Sequence, residues 1–467
     1  MSNRPFPYHK LYRALIIIFV LAATLFLGVA TYYINYWPTD SESPYLPTAA
    51  KLFTLPFLSQ MHTLPEHGML KLTMHAKEAL ILGIALMQRI LNDYTSLYPN
   101  VLLLILCVMV SAVLFYIIFK NLFNLHAAML AFILFAASFW PYMYVLQGAH
   151  PPLVLMNFLL AVFFIQCAAR HSGFYFLSGI CAGFMLFSSP TSPLYLPYYC
   201  SFFVYDLYKR KKGAWTDTSS GGPTRAAFRR SVILSAWILP GAMAVFLLFT
   251  VPHPIESIRY YLKFLDMSRH SNNFFIYKDY LTQFFPLPHS LRGAGWVWIP
   301  KYFFLIMPVV FAAYLLSLGY LAWASLKKPV IAAIILASLS TPLAVEISGM
   351  AQFGRNYFSW FFGIIFIIVY ACYHVYDHAR WLKRPKYKVL FGVLLAFFLT
   401  IHVIFNAYAF FNDVFPSRMA TTNIYRWFID RHINEAFTYQ THPRYLNIIR
   451  FFNNTKYGIY SRCTILQ

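Results

Sequence analysis

Apolar blocks of about twenty residues recur along this chain from one end almost to the other. That length is what an α-helix needs to cross roughly 30 Å of hydrocarbon. The blocks fall at about 14–35, 100–119, 126–146, 151–168, 174–189, 191–207, 232–251, 302–324, 329–346, 357–375 and 389–411. They predict an all-α polytopic membrane protein with about eleven transmembrane helices. A membrane β-barrel would instead show alternating segments of about ten residues. Composition agrees: 11% of residues are charged, against roughly 25% in a soluble domain, and the mean hydropathy is +0.56.

The net charge of +22 does not imply a nucleic-acid partner here, because its placement along the chain carries the meaning. With the N-terminus in the cytoplasm, the inward segments are the N-terminal tip, the loop 208–230, Lys327–Lys328, the stretch 379–388 and two turns holding Lys120 and Arg170. Together they contain 19 Lys and Arg, against three acids on that side: Asp217 within them, and Asp206 and Asp377 just before the loop 208–230 and the stretch 379–388. This satisfies the positive-inside rule and leaves the C-terminus extracytoplasmic. The expected location is a bacterial inner membrane. The transmembrane module covers 1–411 and a small outward-facing tail covers 412–467. Five of the six cysteines lie in apolar runs, so no disulfide framework is implied. No internal repeat is present, which argues against inverted-repeat transporter folds.

Outer loops are expected at 36–99 and 252–301. The first contains "HAKEALILGIALMQRIL", His75 to Leu91, which is too short to span and reads as an interfacial helix. Directly after the first span comes "WPTDSESPYLP" with two acids, Asp40 and Glu42. An ionisable group at a membrane edge is costly and commonly functional. The two acids suit a helix cap or a general base. "HTLPEH" brings His62, Glu66 and His67 together as weak candidates for a divalent metal, without the paired spacing of a zinc helix.

An acid after the first span, a Tyr shortly beyond it, and a second surface helix opened by Lys resemble the GT-C membrane glycosyltransferases. The closest branch holds the protein O-mannosyltransferases and the bacterial aminoarabinose transferases. By motif order the resemblance covers about residues 14–210. It implies a sugar taken from a polyprenyl-phosphate carrier on the outer face, by an inverting reaction, with membrane lipids around the site and no cofactor required. Asp40 matches the catalytic acid. Asp40 to Tyr45 is five residues where the family has four, so Glu42 shares the candidacy. Lys77 in "HAKEAL" matches the Lys of the family's Lys-Pro-Pro motif, which contacts the carrier phosphate, while both prolines are absent. In "GAHPPL", His150 stands where the family often has an acid. "SSPTSP" lacks the Lys often found there. Arg355 and Tyr357 in "GRNYF" match an Arg-Tyr pair of some members. Arg suits bidentate phosphate contact, which makes Lys77, His150, Arg355 and Tyr357 the expected donor-binding set.

These departures keep a second class open: a catalytically inactive GT-C-like subunit of a larger membrane assembly. A transporter for a lipid-linked molecule is a third. The predicted spans hold almost no ionisable groups, whereas transporters bury them at mid-span.

Overall fold

The computed structural model describes residues 77–93, 98–147, 149–168, 171–189, 191–216, 232–250, 308–325, 335–342, 358–379 and 384–409, with a few single positions between them. The expected first span, most of loop 36–99, loop 252–301 and the tail 412–467 lie outside these. The described residues contain no strand.

The helices are α1 (Glu78–Leu91), α2 (Tyr98–Leu122), α3 (Leu125–Ala136), α4 (Phe139–Gln147), α5 (Pro151–Cys167), α6 (Gly173–Leu186), α7 (Leu196–Thr216), α8 (Ile238–Thr250), α9 (Pro308–Ser325), α10 (Phe358–His378) and α11 (Pro385–Ala409). A 3₁₀ turn, Ser192–Tyr195, leads into α7, and another, Ser235–Trp237, into α8. Four helical stretches, 98–122, 232–250, 358–377 and 385–408, are long and apolar enough to cross a bilayer.

Local chemistry sets the boundaries. α1 begins at Lys77 and ends at Asn92, whose φ of 50° is a left-handed cap; Asn tolerates that region better than most residues. There the Asp93 N–H donates to the Gln88 carbonyl at 3.0 Å. Asn124 caps α3, its Oδ1 accepting from the Ala127 N–H at 2.9 Å. α5 opens on Pro151–Pro152, positions where a helix has no use for an N–H.

α10 is the central post. Over its apolar window 83% is buried, against 11% for α11. Phe361, Phe362 and Phe366 of α10 interleave with Phe115 and Phe119 of α2, Phe135 of α3, Phe158 of α5 and Phe202 of α7. Their centroid separations of 4.8–6.2 Å suit offset and edge contacts. α6 and α8 pack backbone to backbone. A Cβ on Gly179 would collide with the Ile238 carbonyl, and one on Gly241 with the Phe176 carbonyl. Small residues allow this approach in a bilayer, where burial of apolar surface gives little drive.

The apolar block expected as one span at 126–146 is two helices, α3 and α4, broken at Ala137–Ser138. The polar partners of the break lie far along the chain. Asn406 of α11 accepts the Phe139 N–H on its Oδ1 at 3.0 Å, satisfying the start of α4. Its amide donates to His402 Nδ1 at 2.9 Å. His402 Nε2 then faces the Leu134 carbonyl at 3.3 Å and Ser138 Oγ at 3.4 Å. With Nδ1 accepting, the imidazole is a neutral Nε2–H donor. The outer face of α11, by contrast, exposes Val389, Val393, Phe397 and Ile404.

Candidate functional site

The ends of four helices converge on one side of the bundle. The start of α1 is tied to the end of α6, where the Ala79 N–H donates to the Phe187 carbonyl at 2.9 Å. From Phe187 the chain enters "SSPTS", Ser188 to Ser192, a turn crowded with hydroxyls. Ser188 Oγ donates to the Phe184 carbonyl at 2.6 Å and accepts from Asn157 Nδ2 at 3.3 Å. Ser192 Oγ donates to the Leu186 carbonyl at 3.1 Å. These bonds cover carbonyls that the end of α6 would otherwise leave open.

Ser189 has a different partner. Its Oγ lies 2.8 Å from His150 Nε2 and 2.9 Å from Thr191 Oγ1, and it accepts the Thr191 N–H at 3.2 Å. His150 sits at the cap position of α5 but makes no capping bond through its side chain. It is 3% exposed, so it is not a surface turn residue. His150 and Thr191, joined through Ser189, form one edge of a small pocket, whose lining Tyr195 and Ser359 complete, with Val154 and Phe358 as apolar walls. Tyr195 is held by its ring, 5.0 Å from that of Phe158. Phe358 is fixed edge-on against Tyr144 at 5.3 Å and Trp140 at 5.6 Å. The Tyr195 hydroxyl and Ser359 Oγ are buried and have no hydrogen-bond partner among the described residues.

Lys77 and Glu78 are both buried at the start of α1. One oxygen of Glu78, Oε2, is enclosed without a hydrogen-bond partner among the described residues. Burial raises its carboxyl well above the ordinary 4.5, and a backbone hydrogen bond offsets this only in part. Desolvation penalises the charged form. Glu78 is therefore held protonated into a range where an exposed glutamate would be ionised.

Of the residues that the sequence points to, the structure places two on this side of the bundle. Lys77 opens α1 beside the end of α6, and His150 edges the pocket. Asp40, Glu42, Arg355, Tyr357 and the trio His62, Glu66 and His67 lie outside the described residues. Among the described residues no three His, Cys, Asp or Glu side chains stand close enough to hold a metal. Sequence reasoning passed over Tyr195, Ser189, Ser359 and the burial of Glu78. The legible signal was "SSPTSP", a polar knot between two apolar blocks on the same predicted side as His150.

Residues 81–216 match the family described as dolichyl-phosphate-mannose-protein mannosyltransferase. This stretch runs from α1 through α7 and includes His150, Ser189 and Tyr195. The match agrees with the GT-C resemblance over this stretch, and the chain is an integral membrane protein. No curated protein matches the sequence. Among solved structures, similar ones include the Archaeoglobus fulgidus oligosaccharyltransferase in complex with zinc and sulfate, at 11% identity over 86% of this chain and 53% of that one, TM-score 0.44. Its apo form is 12% identical over 90% of this chain and 57% of that one, TM-score 0.44. The oligosaccharyltransferase AglB of the same organism, in complex with an inhibitory peptide and a dolichol-phosphate, is 11% identical over 89% and 56%, TM-score 0.44. This chain thus spans about half the length of the solved structures it matches.

Proposed function

We propose that this chain, with a mannosyltransferase-family stretch at its heart, is an integral-membrane glycosyltransferase. It moves a sugar from a polyprenyl-phosphate carrier to a lipid, glycan or protein acceptor on the extracytoplasmic face, with its N-terminus in the cytoplasm of a bacterial inner membrane. The observation that carries the reading is the family match over residues 81–216. The gathering of buried polar groups at one end of the bundle supports it, since that end is where a carrier headgroup and a water-side acceptor can meet.

In this reading the acceptor hydroxyl attacks the anomeric carbon from the face opposite the phosphate. The bond to the phosphate oxygen breaks, the polyprenyl phosphate leaves with the electron pair, and the configuration inverts. Asp40 takes the acceptor proton, with Glu42 as the second candidate base. Charge grows on the leaving phosphate, and Lys77 and Arg355 stabilise it, with His150 and Tyr357 beside them. The chemistry needs no cofactor. His62, Glu66 and His67 remain the place where a divalent metal would assist.

The test is sugar transfer by the purified chain with polyprenyl-phosphate sugars as donors, comparing wild type with Asp40→Asn and Glu42→Gln. Loss of turnover in Asp40→Asn alone supports the reading and identifies the base. A folded wild type that transfers from no donor sinks it.

One observation favours a second reading, a non-catalytic GT-C-like subunit of a membrane assembly. His150, where relatives carry an acid, is buried and already bonded to Ser189. Under that reading Asp40→Asn leaves the protein's cellular role intact while disruption of assembly abolishes it.

A further inference from the structure

α11 opens among cations. Arg384 stands just before it, and Lys386 and Lys388 lie in its first turn. All three are exposed. The backbone fixes the turn that presents them. Leu382 is buried, and its N–H donates to the Ala379 carbonyl at 3.1 Å. The Arg384 carbonyl accepts from the N–H groups of Tyr387 and Lys388 at 3.1 and 3.3 Å.

Aromatic rings place the two ammonium groups. Lys388 Nζ lies 5.7 Å from the ring centroid of Tyr376, in the last turn of α10, and Lys386 Nζ lies 5.1 Å from that of Tyr387. A ring attracts a cation at this range but leaves the net charge in place. The exposed imidazole of His126, in the first turn of α3, stands 6.2 Å from the same Tyr376 ring. Three helix ends thus meet at one tyrosine, with Asp377 next to it in sequence as the acid of this corner.

The chain's own segments do not bring the counter-charge. On the sidedness expected from the sequence, the segments sharing this face hold 19 Lys and Arg against three acids. The balancing anion therefore comes from outside the chain, and the rest of α11 points to its kind. Three, four, seven and eleven residues beyond Lys386 come Val389, Leu390, Val393 and Phe397, all exposed and all on the helical face that Lys386 heads. The cations stand at the end of an apolar track about 16 Å long. A free phosphate has no use for such a track. A phospholipid has both parts, a phosphate for the cations and an acyl chain for the track. A zwitterionic headgroup carries no net charge, so an anionic one is the complement.

We propose that the α10–α11 corner binds an anionic phospholipid of the surrounding bilayer, its phosphate met by Arg384, Lys386 and Lys388 and an acyl chain laid along Val389, Val393 and Phe397. The leaflet that supplies it rests on the expected sidedness. The site is independent of whether the chain transfers a sugar.

The experiment titrates the full-length chain, in a neutral detergent, with phosphatidylglycerol, with phosphatidylcholine of the same acyl chains and with glycerol 3-phosphate. Native mass spectrometry counts the molecules bound and the chains in each particle. Wild type is compared with Lys386→Gln/Lys388→Gln and with Lys211→Gln/Lys212→Gln, an equal loss of charge near the end of α7 on the same expected face. The expected result is that phosphatidylglycerol binds wild type about tenfold or more tighter than phosphatidylcholine, and that the first pair of substitutions weakens it about tenfold to thirtyfold. The α7 pair changes it by less than about twofold, and glycerol 3-phosphate does not compete. If Lys386→Gln/Lys388→Gln lowers the melting temperature, Lys386→Arg/Lys388→Arg keeps the charge and is expected to bind phosphatidylglycerol as wild type does. Failure of that pair to bind overturns the proposal. Equal weakening by the two glutamine pairs would show a diffuse charge effect and overturn it. So would equal affinity for the two lipids. Competition by glycerol 3-phosphate would make the corner a free-anion site, and two-chain particles that Lys386→Gln/Lys388→Gln separates would give this face to a second copy. Either result overturns the proposal.

Discussion

The Nε2 of His150 lies 2.8 Å from the hydroxyl of Ser189, joining the residue that precedes α5 to the turn that follows α6. Both are buried, so each is the other's replacement for water. In Ser189→Ala the imidazole loses that partner, and Thr191 loses a hydroxyl contact and the acceptor for its N–H. The expected cost is about 1–3 kcal/mol, seen as a lower melting temperature in detergent. Ser189→Thr keeps the oxygen and recovers most of the loss. Equal melting temperatures for Ser189→Ala and wild type would show that the pair does not hold the turn.

Glu78 makes stability depend on pH. Its carboxyl is raised above the ordinary 4.5 in the folded state by burial. Below that ordinary value both folded and unfolded forms carry the proton and the penalty is absent. As pH rises through it, the unfolded chain releases the proton while the folded chain keeps it, so stability falls until the folded-state value is reached. Glu78→Gln keeps the shape without the acid. It is expected to raise the melting temperature at neutral pH and to flatten the profile above about pH 4.5. A variant whose pH profile overlays that of wild type would rule this out.

The α6–α8 contact admits no side chain at its closest points. Gly241→Ala puts a methyl into the Phe176 carbonyl, a rigid backbone group, and forces the helices apart. The expected loss is about 3 kcal/mol or more, comparable to severe overpacking. Gly392→Ala is the control: nothing lies within 4 Å of its Cβ position, and removing a helical glycine gains about 0.5–1 kcal/mol. Thermal unfolding of the two variants side by side separates close approach from glycine's general cost.

Asn406 is the partner of the first N–H of α4. Asn406→Ala removes the Asn406 acceptor from that group and the donor from His402 Nδ1, at about 1–3 kcal/mol. Asn406→Asp keeps the acceptor but brings a charge into an apolar setting and is expected to do worse. Limited proteolysis at the α10–α11 connection should speed up in both variants. Cleavage at the wild-type rate in Asn406→Ala would show that α11 is held by packing alone.

The sequence makes the helices of this bundle legible because hydropathy is a local property. The interfacial segment 75–91 appears as α1, and the Pro-Pro of "GAHPPL" marks the start of α5. Hydropathy could not reveal the break at Ser138: small and apolar residues surround it, and the side chain that accepts the N–H beyond it is Asn406, 267 residues from Phe139. The site was legible in the same uneven way. His150 and Lys77 stand out as polar residues in apolar surroundings, and family order gave them meaning. Tyr195 and Ser359 look like ordinary members of aromatic-rich spans, and only packing shows that their oxygens are buried without a hydrogen-bond partner among the described residues. Glu78 sits in a helix that reads as surface-bound from sequence, but it is buried, and the turn it opens is tied to the end of α6 through Ala79 and Phe187.

The broken helix pair sets a clock on biosynthesis. α3 and α4 leave the ribosome long before His402 and Asn406 exist, and at roughly 5–20 residues per second the delay is tens of seconds. Through that interval the Phe139 N–H lacks the Asn406 acceptor that it has in the folded chain. α11 then arrives carrying a histidine and an asparagine that the lipid cannot satisfy. Each half therefore lacks what the other carries, and a ribosome that stops before codon 402 leaves the first half waiting.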